Sequence, residues 1–246
     1  MGINRIGTVI WNCVGKYGSK VKKIPSRIFD KIAYKPSLEK LEKCATSVED
    51  FGNHKLLTYK NSISKQIIFN NNQNIEEINR ILQEYHIGMG KYELLNLQTA
   101  FETLPALKGR NIRAFLGKGG SSKAFLLDNN MVLKQTRTDF VDKAVTARNV
   151  RPAFDETLEA ITSQVGDVGS RAYSLQEFGI PNTKKHGFLR LTRDLRNKGT
   201  TFDLDWTTWQ CARFRDNRPT LWGKINPFGL TKVVDLGCIH PPTVKV

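Results

Sequence analysis

The sequence predicts an α+β fold in which a helical N-terminal region is followed by an antiparallel sheet. Between Asn74 and Tyr85 the apolar residues recur at helical intervals. From Asn111 onward the pattern changes to short apolar segments separated by glycine-rich or polar turns, which is typical of antiparallel strands. The 246 residues are enough for a substantial core. Because no apolar run reaches the roughly 18 residues that a spanning helix needs, we expect no membrane span.

The chain is strongly basic, and its first 36 residues contribute to this charge. The formal net charge is +15 and the pI is near 9.8, which favours acidic partners such as nucleic acid, anionic lipid or an acidic protein. Residues 1–36 contain eight Lys or Arg and one acidic residue, Asp30. We predict a basic N-terminal tail there, with a patch for an anionic membrane surface or a delivery signal as alternatives.

Four scattered cysteines form no metal motif, and free thiols suit a reducing compartment.

Residues 37–110 are predicted to be helical. Asn74 followed by Glu77 has the spacing of a capping box, and Gly88 and Gly90 end the helix that it begins. A second helix is expected over about residues 91–104. Its expected core-facing residues are Tyr92, Leu95, Leu97, Phe101 and Leu104.

Residues 111–246 are predicted to form the sheet domain. Strands over 112–116, 123–127 and 131–135 would make a three-stranded meander. Pro152 would begin a helix that runs to about Val165 and ends at Gly166 and Gly169. The remaining expectations are strands at 172–178, 188–192 and 231–234, a turn at 197–199 and a short helix around 203–212.

The loop between the first two of these strands has the composition of a phosphate-binding loop. Small residues allow backbone N–H groups to approach phosphate oxygens. Lys134, at the end of the third strand, supplies a positive charge, and Asp235, after the apolar pair Val233 and Val234, would bind Mg²⁺. The sequence therefore predicts a site for ATP and Mg²⁺. The residues expected at the phosphates are Gly117, Lys118, Gly119, Gly120, Ser121, Ser122 and Lys134.

These motifs and their order resemble the protein-kinase fold. The loop is similar to the kinase pattern G-x-G-x-x-G-x-V at Gly117 and Gly119, with Ser122 in the place of the third glycine. The segment Val132-Leu133-Lys134 is similar to V-A-I-K, and Asp235-Leu236-Gly237 is similar to D-F-G. The resemblance implies that Lys134 pairs the α- and β-phosphates and is held by a helix glutamate. We expect that glutamate to be Glu159, with Glu156 as the alternative.

The same resemblance suggests a catalytic loop. Residues 214–219, which read F-R-D-N-R-P, resemble the kinase H-R-D segment. Asp216 would then accept the substrate hydroxyl proton, and Arg218 would neutralise the γ-phosphate. Leu221 stands where the second metal ligand would be, so Asn217 or Asn226 would have to replace it.

A second candidate for the catalytic aspartate is Asp194. It lies in a similar segment, Thr192-Arg193-Asp194. Because 41 residues separate it from Asp235, we expect it instead at the hinge that grips adenine, following a strand over 188–192.

Nine residues follow Gly237, so the resemblance implies a shortened C-terminal lobe, similar to minimal bacterial effector kinases that are delivered into host cells. The implied function is ATP-dependent phosphorylation of serine or threonine on a protein substrate, including a host protein. The implied location is the cytoplasm or a host cell. Two alternatives stay open. One is a catalytically inactive, pseudokinase-like binding module, and the other is a basic nucleic-acid-binding protein whose affinity would fall steeply with salt.

Overall fold

The structure is a computed structural model, and it describes residues 34–59, 65–70, 73–139, 160, 162–181, 185–202, 211–216, 226–234 and 239–240. The fold class is the predicted α+β. The helices in the described residues are α1 (Leu38–Cys44), α2 (Ile75–Glu84), α3 (Lys91–Thr103) and α4 (Lys185–Arg196).

The largest layer is an antiparallel sheet of eight strands in the order β1-β2-β3-β4-β5-β6-β8-β7. Its strands are β1 (Ser47–Asp50), β2 (His54–Thr58), β3 (Gln66–Phe69), β4 (Ile112–Lys118), β5 (Ser122–Leu127), β6 (Met131–Arg137), β7 (Thr162–Val168) and β8 (Arg171–Glu177).

Two smaller sheets follow. The first has the order β12-β11-β9, formed by β9 (Ile180–Pro181), β11 (Cys211–Asp216) and β12 (Asn226–Val233). The second pairs β10 (Thr201–Phe202) with β13 (Ile239–His240).

Each face of the main sheet has its own core, because side chains alternate along a strand. On one face Phe125, Leu133 and Leu175 are neighbours in register and pack with α2 and α3. On the other face Leu126 and Val132 pack with α1 and the start of the smaller sheet. The two faces therefore contact different parts of the chain.

The predicted start of α2 is confirmed. The side chain of Asn74 accepts a hydrogen bond from the Glu77 backbone N–H at 2.9 Å, and the Glu77 carboxylate accepts from the Asn74 N–H at 3.0 Å. The expectation that Tyr92 and Leu95 face the core is wrong, since they are 79% and 54% exposed.

The prediction that residues 37–110 are helical is incomplete. They also contribute β1, β2 and β3, which extend the sheet beyond β4 through the pairing of Ile67 with Phe115. Strand β3 consists of four fully buried residues, a pattern too short to separate a strand from part of a buried helix.

Three further element predictions are wrong. Residues 162–168, expected to end a helix, form β7, because they pair with β8 along its length. Residues 188–192, expected to be a strand, lie inside α4, where Leu191 is buried while Leu189 is 61% exposed. Residues 211–212 belong to β11, and the rest of the short helix expected there lies outside the described residues. The predicted strands at 172–178 and 231–234 and the turn at 197–199 are confirmed.

The smaller three-stranded sheet is fastened to the main one at the end of β8. Gly179 lies so close to β11 that a β-carbon there would be 2.6 Å from the ring of Phe214 and 2.8 Å from the β-carbon of Ala212. The ammonium of Lys232 on β12 forms an ion pair with Glu177 on β8, and both side chains are largely buried. The end of β12 is thereby held beside β8.

Gly229 on β12 is a position where alanine should be strongly destabilising. Its φ is +70°, and a β-carbon would be 2.5 Å from the carbonyl oxygen of Phe214. We expect Gly229→Ala to lower the free energy of unfolding by about 2 kcal/mol or more, measured by urea denaturation. Gly109→Ala is the matched control, because its φ is +73° and nothing lies within 4 Å of the added carbon. Equal losses in the two variants would contradict the steric explanation.

None of the helices in the part of the chain that the structure describes is both long and apolar enough to cross a membrane.

Candidate functional site

The glycine loop forms the tight hairpin turn that its composition predicts. It connects β4 to β5, and the N–H of Gly119 donates to the carbonyl of Ser122 at 2.8 Å. Gly117 lies at an irregularity in the register and has a φ of +154°, which side chains with a β-carbon rarely adopt. A β-carbon at Gly117 or Gly120 would meet no atom within 4 Å. The loop therefore leaves open space against its backbone, as the expected phosphate site requires.

Two residues of the predicted phosphate-binding set have a different setting from the one expected. The Gly119 amide already has an acceptor within the loop. Lys118 pairs in register with Lys123, which faces α3, so its strand position is on the opposite face of the sheet from Lys134. The structure does not bring Lys118 and Lys134 together.

Lys134 lies in the middle of the main sheet, and its side chain is directed toward the smaller three-stranded sheet. On β6 it pairs in register with Ala124 on one side and Ser174 on the other. Its Nζ donates to the carbonyl oxygen of Val234 at 2.5 Å. The same oxygen accepts a hydrogen bond of 3.3 Å from Nε2 of Gln176 on β8. Two side chains of the main sheet thus bind the backbone immediately before Asp235.

The chain next to Glu159 also reaches this point. The N–H of Ala160 donates to the carbonyl of Val233 at 2.9 Å, and Ala160 is fully buried. Glu159, Glu156 and Asp235 themselves lie outside the described residues. The residues adjacent in sequence to Glu159 and Asp235 are nevertheless neighbours of each other, and Lys134 contacts one of them.

The first three residues of the segment expected to be a catalytic loop, 214–216, belong to a strand, β11. Asp216 is the last residue of β11 and pairs with Asn226, whereas Cys211, at the other end of β11, pairs with Val233. At the usual rise of a strand, Asp216 is roughly 16 Å along β11 from the residue beside Val233. The structure does not bring its backbone to Lys134. The other expected members of this loop, Asn217 and Arg218, lie outside the described residues.

The alternative aspartate also has a different setting from the expected one. Asp194 is in α4 rather than at the end of a strand, and its carboxylate lies 3.9 Å from Arg190 and 3.4 Å from Arg193. The strand over 188–192 expected to lead into an adenine-gripping hinge is therefore wrong, because these residues are helical. The chain passes from the main sheet to the smaller three-stranded sheet between β8 and β9, before α4 begins.

The thiol beside the site is not a candidate nucleophile. Cys211 is fully buried, and burial raises the pKa of its thiol to about 12. It therefore stays a neutral, apolar packing group at physiological pH. Among the described residues, no three His, Cys, Asp or Glu side chains come together as metal ligands. The expected Mg²⁺ ligand, Asp235, is not one of those residues.

Sequence reasoning missed Gln176 and an ion pair behind the hairpin. Both carboxylate oxygens of Glu93 on α3 lie 2.7 Å from Nζ of Lys123 on β5. Burial lowers the pKa of Lys123, and the hydrogen bonds from its ammonium to Glu93 act in the opposite direction. One signal was available: Lys123 is in the same alternation as Phe125 and Leu127, so a lysine occupies the apolar phase of the strand.

No known protein-family model matches the chain, and no curated protein matches its sequence.

Proposed function

We propose that the protein is a kinase-like phosphotransferase that moves the γ-phosphate of ATP to a hydroxyl group on a protein. The observation that carries this proposal is the hydrogen bond between the Lys134 ammonium and the Val234 carbonyl. It joins positions 100 residues apart in the sequence, and it brings the hairpin lysine beside the residue that precedes Asp235. A lysine and a late aspartate that converge are what a shared triphosphate requires.

The setting of Lys134 gives further support. It lies on β6, the third strand of the meander whose first two strands are joined by the glycine loop, as the phosphate-pairing lysine does in the kinase pattern. The contact of Ala160 with Val233 brings the chain after Glu159 to the same place. Three motifs that are far apart in the sequence thus support one location for the site.

The open space beside Gly117 and Gly120 would admit phosphate oxygens. Backbone N–H groups of the loop would approach the phosphate oxygens, and Lys134 would orient the α- and β-phosphates. Asp235 would hold Mg²⁺, which neutralises phosphate charge when bound. The oxygen of the acceptor hydroxyl would bond to the γ-phosphorus and lose its proton to solvent water, while the bond from that phosphorus to the β-phosphate oxygen breaks and ADP is released. Catalysis of this type depends on positioning and charge neutralisation.

Lys134, Glu159 and Asp235 keep their expected roles in this proposal. Asp216 is not included as the residue that accepts the hydroxyl proton. Asp216 is at the far end of β11 from Val233.

Two measurements on the full chain test the proposal. We expect the melting temperature to rise when Mg²⁺ and ATP are added together, because a ligand that binds only the folded state stabilises it. We also expect γ-labelled phosphate to enter a serine-rich acceptor protein or the chain itself. Binding without transfer would favour the pseudokinase-like binding module, and absence of both would contradict the proposal.

A further inference from the structure

A row of polar side chains crosses the face of the main sheet that α3 covers. Lys123 on β5 pairs in register with Gln135 on β6, and Gln135 pairs with Tyr173 on β8. Their exposed fractions are 5%, 1% and 0%. Polar groups buried this deeply must find partners within the protein.

Glu93, in the first turn of α3, provides most of these partners. Its carboxylate binds the Lys123 ammonium with both oxygens, and its backbone carbonyl accepts a hydrogen bond of 3.2 Å from Nε2 of Gln135. The same Nε2 lies 3.1 Å from the Tyr173 hydroxyl. Arg171 on β8 adds a contact of 3.8 Å to the carboxylate. A single helix residue therefore connects three strands.

This row lies directly behind the proposed phosphate site. Lys123 precedes Ala124, and Ala124 is the register partner of Lys134. Gln135 follows Lys134 on β6. Lys123 is also the residue after Ser122, whose carbonyl closes the glycine turn. Glu93 thus holds, from one face, the same two strands that present the glycine loop and Lys134 on the other.

We infer that Glu93 is a positioning residue. Through Lys123, it holds the glycine hairpin in the position where the backbone amides of the hairpin contact the phosphates that Lys134 aligns. The inference rests on the proposed function. Without the carboxylate, the Lys123 ammonium would be buried beside Lys118 and Arg171, two further cations, with no counter-ion. Such a charge is strongly unfavourable, so β5 would have to move to let water reach it. The glycine loop, one residue away, would move with β5.

The test compares Glu93→Gln with Glu102→Gln, a control on the exposed side of the same helix. Hydrogen exchange of the amides at 117–123 should become at least about tenfold faster in Glu93→Gln, with α2 unchanged. The KM for Mg–ATP should rise about five- to tenfold while kcat stays within about twofold, since the loop contacts phosphate before transfer as well as during it. The control should match the wild type in both measurements.

A rescue separates positioning from general loss of stability. Adding Lys123→Met to Glu93→Gln removes the unpaired charge and should return hairpin exchange most of the way to the wild-type rate. If Glu93→Gln does not fold, Glu93→Asp, which shortens the side chain by one methylene, should change exchange and KM in the same directions. Unchanged hairpin exchange, or equally faster exchange across the whole sheet, in a protein that transfers phosphate would overturn the inference alone. A wild-type protein that binds no nucleotide would overturn the inference and the proposed function together.

Discussion

Replacing Lys134 with methionine should lower the rate of phosphate transfer by about a hundredfold or more while the protein stays folded. Methionine has an unbranched side chain about as long as that of lysine, but it lacks the charge that is expected to orient the phosphates. Gln176 would still donate to the Val234 carbonyl, so the lost hydrogen bond should cost only about 1 kcal/mol of unfolding free energy. The measurements are initial rates at saturating Mg–ATP and unfolding in urea.

The control for this variant is Lys108→Met. Lys108 is an exposed lysine outside the proposed site, and its loss changes the net charge by the same amount. We expect its transfer rate to stay within about twofold of the wild-type rate. Wild-type activity in Lys134→Met would contradict the role of this lysine. So would a loss of activity that is matched in size by Lys108→Met.

Replacing Asp235 with asparagine should also reduce transfer by about a hundredfold or more, and it should raise the Mg²⁺ concentration needed for half-maximal rate by about tenfold. Asparagine has nearly the same size but lacks the negative charge that attracts a divalent cation. The position follows Val234, whose carbonyl accepts from Lys134. Transfer rates measured across a range of Mg²⁺ concentrations would separate loss of metal binding from loss of nucleotide binding.

Asp194→Asn provides the matched control and also tests the alternative aspartate. Because Asp194 lies in α4 and its carboxylate contacts Arg190 and Arg193, its replacement should leave the transfer rate and the Mg²⁺ dependence within about twofold of the wild type. A large loss of transfer in Asp194→Asn with an unchanged Mg²⁺ dependence would instead support Asp194 as the catalytic aspartate.

The elements that could be predicted have a strong local signal. The meander of β4, β5 and β6 is marked by a glycine turn and by alternating apolar residues, and α2 is marked by its capping box. Strand β7 has few apolar residues and is held by pairing with β8, which no local pattern records. In α4, Leu189 and Leu191 have the spacing of a strand, but the residues that are buried, Leu191 and Leu195, have the spacing of a helix.

The residues of the candidate site also divide into those with a local sequence signal and those without one. Lys134 and Asp235 could be named because each ends a short apolar segment in a recognisable order. Gln176 and Glu93 could not, since their roles come from contacts between residues that are distant in the sequence. The residues around Asp216 resemble a loop motif in sequence, but Phe214 and Asp216 pair with β12 as part of a strand, which no local pattern records.

The most direct test is a crystal structure of the protein with Mg²⁺ and a non-hydrolysable ATP analogue. We expect the Lys134 ammonium within hydrogen-bonding distance of the α- or β-phosphate and an Asp235 carboxylate oxygen bound to the metal, with the glycine loop over the phosphates. A nucleotide bound elsewhere, or an Asp235 side chain directed away from Lys134, would contradict the account.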